Sequence, residues 1–304
     1  MAPGRADRPN ELEGATIRCP FCAGNESLTP PDILRAPRSS AEPWRARIVP
    51  NRFPIAIDGI TPPSAAGVQS GRPRPVHGVH DVVIESPMHV RSILDIAPAD
   101  WRDVWELCRE RLAMLADRGD IAWATVFKNS GAKAGASLEH VHSQLVGLDF
   151  VPPLVASELA AAAFAIDPFG DLLRLAAAEE RIVAESGDLV ALVPLAPRQP
   201  FETWILPRSA EASFHTTSRD RVAGVAALTQ SLIARLDSIL PGADYNWWLH
   251  QIPSPHHHPV QPAGWHWHLE ILPRINGLAG FELGAGCHIT TMTPHESARQ
   301  LRDA

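Results

Sequence analysis

The sequence predicts an α+β fold in which two similar halves each contribute strands to an antiparallel sheet with flanking helices. Three observations carry this. Short β-branched or aromatic runs alternate with long amphipathic stretches. The order strand, Pro-rich turn, strand, helix, strand occurs twice. Each round ends on His-x-His, in HisValHisSerGln at 140–144 and HisTrpHisLeuGlu at 266–270, so an internal duplication packed as one unit is expected.

The elements follow in order. Residues 1–14 are polar and read as a loose tail, and a CysProPheCys turn follows at 19–22. Residues 47–49 read as a strand ended by Pro50-Asn51-Arg52-Phe53-Pro54, and the Pro/Gly/Ser-rich stretch 60–77 as a loop. AspValValIleGlu at 81–85 is a strand. Pro98-Ala99-Asp100 caps a helix over 101–118, with apolar positions at Val104, Leu107, Cys108, Leu112, Met114 and Leu115. Strands are predicted at 123–128 and 143–147, then a helical region over 154–184. In the second round, strands fall at 189–194 and 203–207, a helix at 219–238, and strands at 245–249 and 265–272.

Composition narrows the class. The chain has 304 residues, 45% apolar and 20% charged, enough to bury a core without disulfides. Its charge, 27 − 34 = −7, argues against a protein bound to nucleic acid through phosphates, but not against a small anionic substrate in a local site. The longest apolar stretch, around Leu159–Ile166, is too short to span a membrane, and the N-terminus has no signal-type apolar run. The four cysteines, Cys19, Cys22, Cys108 and Cys287, make no disulfide framework, so a cytoplasmic setting is expected. The unusual count is 14 histidines.

Three constellations bear chemistry. Two thiolates three residues apart, Cys19 and Cys22, can reach one Zn²⁺, or are two unrelated buried thiols. No second Cys-x-x-Cys exists, so further ligands must be histidines. In the segment 129–144, Asn129, Gly131, Gly135 and Ser137 form a Gly-rich loop whose N–H groups can approach phosphate oxygens. His140 and His142 then share one face of a strand, and Gln144 falls on that face too. An imidazole beside such a loop can attack phosphorus and form a phosphoramidate, while Gln144 donates to a phosphoryl oxygen. Finally, His266 and His268 sit in a strand pattern and with His250 can form a second metal site completed by a carboxylate. His256, His257 and His258 lie in a Pro-rich stretch and read as a solvated loop.

With these motifs in place, the chain resembles the galactose-1-phosphate uridylyltransferase family, a branch of the histidine-triad superfamily, over most of its length. GlyAlaSerLeuGluHisValHisSerGln is the strongest match, with Val141 where the family usually has proline. The resemblance implies two histidine-triad-like halves, 15–150 with a zinc site and the nucleophile, and 151–304 with a second metal and hexose contacts. Cys19, Cys22, His89 and His140 match structural zinc ligands. His142 matches the nucleophile that becomes nucleotidylated, and Gln144 the residue holding the transferred phosphoryl oxygens. Asn51 matches a nucleotide contact. Glu158, His250, His266 and His268 match a second site for zinc or ferrous iron. Phe281 and Glu282 fall where the family contacts its hexose. The segment GlyPheGluLeuGlyAlaGlyCysHisIle resembles the plant-type ADP-glucose phosphorylase branch more than the common uridylyltransferases, which have Tyr at Phe281 and Gln at His288.

The implied activity is nucleotidyl transfer between a nucleoside diphosphate hexose and hexose 1-phosphate through nucleotidyl-His142, of the UDP-glucose type in galactose metabolism, by a homodimer. Three alternatives stand beside it: ADP-glucose phosphorylase, with phosphate as acceptor; a histidine-triad hydrolase, with water; and a zinc-organised binding module without catalysis.

Overall fold

A computed structural model describes residues 18–60, 75–255, 257, 262 and 264–304. The predicted tail, residues 61–74 of the predicted loop, and His256 and His258 lie outside the described residues. In chain order the elements are β1 (Leu34–Ala36), β2 (Ala46–Pro50), β3 (Gly78–Ile84), α1 (Pro98–Ala116), β4 (Trp123–Ser130) and β5 (His142–Leu148). They continue with α2 (Pro153–Ala162), α3 (Pro168–Ala178), β6 (Ile182–Ser186), β7 (Leu189–Leu192), β8 (Thr203–Pro207), α4 (Arg219–Ile239), β9 (Tyr245–His250), β10 (His268–Pro273), α5 (Gly280–Ala285) and α6 (Pro294–Asp303).

The strands form one ten-stranded sheet in the order β1-β2-β3-β5-β4-β9-β10-β8-β7-β6. The order is palindromic about the β4–β9 junction, and the pairs are antiparallel throughout. Register makes the duplication concrete. Phe127 faces Gln144 in one half and Trp248 faces Glu270 in the other, while Phe127 and Trp248 pair with each other. A pseudo-twofold axis therefore passes between Phe127 and Trp248. It equates β3 with β8, β4 with β9 and β5 with β10, and so His142 with His268 and Gln144 with Glu270.

One face of the sheet is covered by α1 and α4. Their buried stripes, Trp101, Val104, Trp105, Leu112 and Leu115 on α1 and Val222, Val225, Leu232 and Leu236 on α4, meet Val83, Val126, Leu145, Trp247 and Leu269 from the strands. Each large side chain buried there contributes roughly 1.5–3 kcal/mol. Trp101 Nε1 donates to Thr229 Oγ1 at 2.9 Å, tying the two helices together without leaving a buried donor unpaired. Helix α4 is long and apolar enough by length and composition to cross a membrane, but half of its apolar window is buried in this core. Met114, placed on the apolar stripe from its spacing, is 41% exposed instead.

The opposite face is covered differently in each half. The segment 19–44 lays Phe21 and Trp44 on Val49, Val82 and Ile84. Helices α2 and α3 lay Val155, Leu159, Phe169 and Leu173 on Val190, Leu192, Leu206 and Trp265. The helical region expected over 154–184 is thus two helices and a strand. Asp167 accepts from Gly170 N–H at 3.0 Å and caps α3, with Pro168 in its first turn, so the chain breaks there. Residues 182–184 belong to β6, which turns at Gly187 (φ 60°) into β7. The strand expected over 265–272 begins only at His268.

Candidate active site and two metal-type clusters

Ser86-Pro87-Met88-His89 follows β3, and His140 and Val141 lead into β5, so β3–β5 pairing brings both histidines to one end of the sheet. The Cys19–Cys22 turn packs over that end. Cys19, Cys22, His89 and His140 present ligand atoms that all lie within 4.8 Å of one another. His140 Nδ1 is 3.5 Å from Cys19 Sγ and 3.7 Å from Cys22 Sγ, and His89 Nδ1 is 3.5 Å from Cys22 Sγ. A tetrahedral zinc centre with ordinary Zn–S and Zn–N bonds has S···N edges of about 3.6 Å, so the set fits that ion. His140 Nε2 donates to the Ser86 carbonyl at 2.9 Å, which leaves the Nδ1 lone pair facing the thiols. Burial depresses the His140 pKa to about 4, keeping the ring neutral, and raises that of Cys22.

Val141 explains its own departure from the family pattern. Its N–H donates to the Val90 carbonyl at 2.8 Å, a tether between the two histidine-bearing segments that proline cannot make.

His142 lies two residues on, 7% exposed, under the Phe21 ring at a centroid distance of 5.4 Å. Its Nδ1 is 2.8 Å from the His140 carbonyl. A carbonyl only accepts, so Nδ1 carries the proton and the neutral ring has its lone pair at Nε2. A buried group absent from the sequence reading sits behind this residue. Lys128 Nζ donates to Glu85 Oε2 at 2.5 Å and to the His142 carbonyl at 2.9 Å, and Ser143 Oγ donates to Glu85 Oε1 at 2.5 Å. Lys128 and Glu85 are 2% and 0% exposed, and burial lowers the lysine pKa. Neither residue stands in a motif; only the pairing of β3, β4 and β5 joins them.

The Gly-rich loop is anchored from the second half. Gly131 (φ 86°) lies so close to Asp244 that an added Cβ would fall 1.9 Å from Asp244 Oδ1. Asp244 Oδ2 accepts the Lys133 N–H at 2.6 Å, so this loop donor is already engaged by a carboxylate. Asn129 Oδ1 accepts from Asn246 Nδ2 at 2.8 Å, and Asn246 also donates to the Ala134 carbonyl at 3.0 Å. Gly135 (φ 83°) and the exposed Ser137 complete the loop. Asn51 Oδ1 accepts from Phe53 N–H at 2.8 Å.

The second cluster differs from the expected set. Glu158, His250, His268 and Glu270 present ligand atoms within 4.8 Å of one another; His266 is not among them. Its Nδ1 donates to the Pro207 carbonyl at 2.7 Å and its ring stacks on Phe169, which holds that nitrogen away from the cluster. Glu270, missed from sequence, stands two residues beyond His268 on the same face. His250 Nδ1 is 2.9 Å from Glu158 Oε2 and 3.2 Å from Glu270 Oε1, and His268 Nε2 is 3.0 Å from Glu158 Oε1. These contacts are close but misaligned, leaving Glu158 Oε2, His250 Nδ1 and His268 Nε2 buried without a hydrogen bond among the described residues. Buried atoms of this kind converging on one point fit a divalent cation. Burial works against charge here, yet the Glu158 carboxylate outweighs it and raises His268 to about 10, while His268 holds Glu158 at about 2.

Phe281 and Glu282 lie on the short, exposed helix α5, where Glu282 Oε2 accepts the Ala279 N–H at 3.0 Å and caps its own helix.

A duplicated antiparallel sheet presents His-x-His-x-Gln, with both histidines buried, beside a Cys₂His₂ cluster, an arrangement suited to nucleotidyl transfer. The comparisons with known proteins specify the family. Residues 92–303 match the family described as "Domain of unknown function (DUF4921)". The chain is 31% identical to ADP-glucose phosphorylase of Arabidopsis thaliana, over 100% of this chain and 89% of that one. The crystal structure of an Arabidopsis ADP-glucose phosphorylase with bound ADP-glucose superposes with a TM-score of 0.82, covering 100% and 94% of the two chains. Galactose-1-phosphate uridylyltransferase of Thermotoga maritima is 23% identical over 98% of this chain and 93% of its own. The chain belongs to the galactose-1-phosphate uridylyltransferase-like family, whose members here are nucleotidyltransferases and phosphorylases.

Proposed function

We propose that the protein transfers an adenylyl group from an ADP-hexose to inorganic phosphate through a covalent bond to His142. The observation that carries this is the Nδ1–His140 carbonyl hydrogen bond of 2.8 Å, which puts the His142 lone pair on Nε2. Nε2 attacks the α-phosphorus. An N–P bond forms as the P–O bond to the departing hexose 1-phosphate breaks. An oxygen of inorganic phosphate then attacks the same phosphorus, the N–P bond breaks, ADP leaves and neutral His142 returns. Hexose 1-phosphate is a good leaving group, so the barrier is lowered mainly by positioning and charge stabilisation. Gln144 donates to the α-phosphoryl oxygens, and Asn51, Asn129, Gly131, Gly135 and Ser137 line the approach.

Adenine and phosphate take precedence over the uridylyl transfer read first from sequence, because the phosphorylase relative is the more similar of the two relatives compared. Transfer of UMP between UDP-glucose and galactose 1-phosphate, in galactose metabolism, is the second reading and rests on the Thermotoga relative. Zinc held by Cys19, Cys22, His89 and His140 fixes the strand that presents His142. Zinc or ferrous iron held by Glu158, His250, His268 and Glu270 does the same for α2, β9 and β10. The halves 15–150 and 151–304 divide these tasks, and the exposed Phe281 and half-buried Glu282 supply hexose contacts in a homodimer.

The test is intact-mass analysis after incubation with ADP- and UDP-sugars, with phosphate, galactose 1-phosphate or buffer alone as second substrate. Gain of AMP and its release as ADP by phosphate support the proposal. Gain of UMP selects the second reading, release to water as free nucleotide selects a hydrolase, and no adduct with any sugar nucleotide overturns it.

A further inference from the structure

We propose that His80 is a positioning residue: it grips the oxygen of the Gln144 side-chain amide and so turns the amide's N–H donors toward the phosphoryl group on His142. The proposal rests on the nucleotidyl-transfer reading above.

His80 is buried on β3, on the face of the sheet that carries Gln144, two residues along from Val82, which faces Gln144 directly. Ile55 N–H donates to His80 Nδ1 at 3.1 Å. Nδ1 is therefore an acceptor, and the neutral ring carries its proton on Nε2. Nε2 lies 2.9 Å from Gln144 Oε1, so Nε2–H donates to that oxygen. A reversed amide would set N–H against N–H. The imidazole thus selects one of the two amide orientations, and the end left to meet an anionic group is the donor end. The ring is itself held from several sides. Asn51 N–H donates to the His80 carbonyl at 2.8 Å and Phe127 stacks at 6.5 Å between centroids; the Asn51 amide nitrogen, 3.1 Å from the protonated Nε2, is itself a donor and makes no hydrogen bond to it. His80 thereby touches two positions assigned to substrate, Asn51 through its backbone carbonyl and Gln144 through its ring.

The other half of the sheet has a grip at the same place, made of different groups. The register equates His80 with Glu202 and Gln144 with Glu270. There Arg198 spans the two, bonding both Glu202 and Glu270. In each half the side chain two residues beyond the second histidine is held from the neighbouring strand's side, by His80 itself in one and, in the other, by Arg198 from the segment before β8, which Glu202 holds in turn. In one half the grip leaves a donor facing the site; in the other it leaves a carboxylate oxygen.

The experiment is a double-mutant cycle read by pre-steady-state adenylylation and steady-state turnover. His80→Phe keeps a ring but no donor and should lower kcat by about 10- to 100-fold, with KM for the sugar nucleotide changed by less than about threefold. His80→Gln places an amide N–H near the Nε2 position and should recover turnover to within about threefold of the parent. In the Gln144→Ala background, His80→Phe should cost less than about twofold more. An undiminished loss in that background, or His80→Gln as poor as His80→Phe, overturns the proposal. Long-range ¹H–¹⁵N spectra of the parent read the contact without substrate: Nε2 protonated and Nδ1 bare is expected, and the opposite tautomer overturns it even if every variant misfolds. A parent that forms no adduct, but shows the expected tautomer, refutes nucleotidyl transfer and leaves the amide orientation standing.

Discussion

In β5 and in β10 the second histidine of His-x-His uses Nδ1 alike. His142 donates to the His140 carbonyl at 2.8 Å, and His268 Nδ1 is 3.1 Å from the His266 carbonyl. Both rings therefore direct Nε2 away from their own backbone. What meets Nε2 decides the chemistry. Around His268 stand two carboxylates, Glu158 and Glu270, whose charge attracts a proton or a divalent cation and occupies the lone pair. Beside His142 the corresponding position is Gln144, a neutral amide, which neither holds a proton on the ring nor repels an incoming phosphoryl group. The roles of the first histidines diverge as well, His140 facing two thiols and His266 a backbone carbonyl. On the function proposed above, one backbone unit thus serves as a nucleophile or a ligand according to the charge of a single residue on the same face.

The sharpest way to break this comparison is to remove each second histidine. His142→Gly should lower adenylyl transfer by at least about 10⁴-fold with zinc content unchanged, as loss of a covalent nucleophile does. His268→Ala should still form the covalent adduct while metal analysis shows about one ion fewer per chain. An adduct on the His142 variant would exchange the two roles.

Next in size is the buried pair behind β5, which the second half lacks: the positions equivalent to Glu85 and Lys128 are Pro207 and Leu249. Lys128→Met strands the Glu85 carboxylate and should cost about 3–5 kcal/mol in denaturant unfolding. The double variant Glu85→Leu with Lys128→Met should recover most of that loss, and a double variant no better than the single would show that the pair contributes net stability.

Converting one half toward the other is the third test. Gln144→Glu places a carboxylate where the proposed mechanism holds phosphoryl oxygens and should lower turnover by about 10²-fold, or roughly 2.7 kcal/mol, with little change in Tm. Turnover within about twofold of the parent would remove the charge explanation.

The smallest expected effect lies under the Cys-x-x-Cys turn. Trp44 Nε1 donates to Glu26 Oε1 at 2.7 Å, and this bond with backbone donors lowers the Glu26 pKa to about 2. A depressed carboxylate adds stability above its unfolded value near 4.5 and loses it as pH falls through the folded value. Trp44→Phe should therefore narrow the Tm difference between pH 6 and pH 3 by a few degrees, and an unchanged difference would show that the bond carries no linkage.

Periodicity alone determined much of this protein. Alternating runs located eight strands of the sheet, and the repeated order with two His-x-His ends disclosed the duplication. That Cys19, Cys22, His140 and His142 come together was legible because they sit at fixed local spacings, which strand geometry converts directly into direction. Residues whose partners are remote in sequence were not legible. Lys128 meets Glu85 across 43 residues, and Arg198 meets Glu270 across 72. His80 reaches Gln144 across 64. Glu270 stands in HisTrpHisLeuGlu at the place Gln144 holds in the other half, but the resemblance assigned the carboxylate of that cluster to Glu158 alone; contacts with Pro207 and Phe169 hold His266 out of it. The chain chooses its elements by local periodicity. Which side chain each imidazole faces depends on strand order and register, which the sheet settles only when distant strands pair.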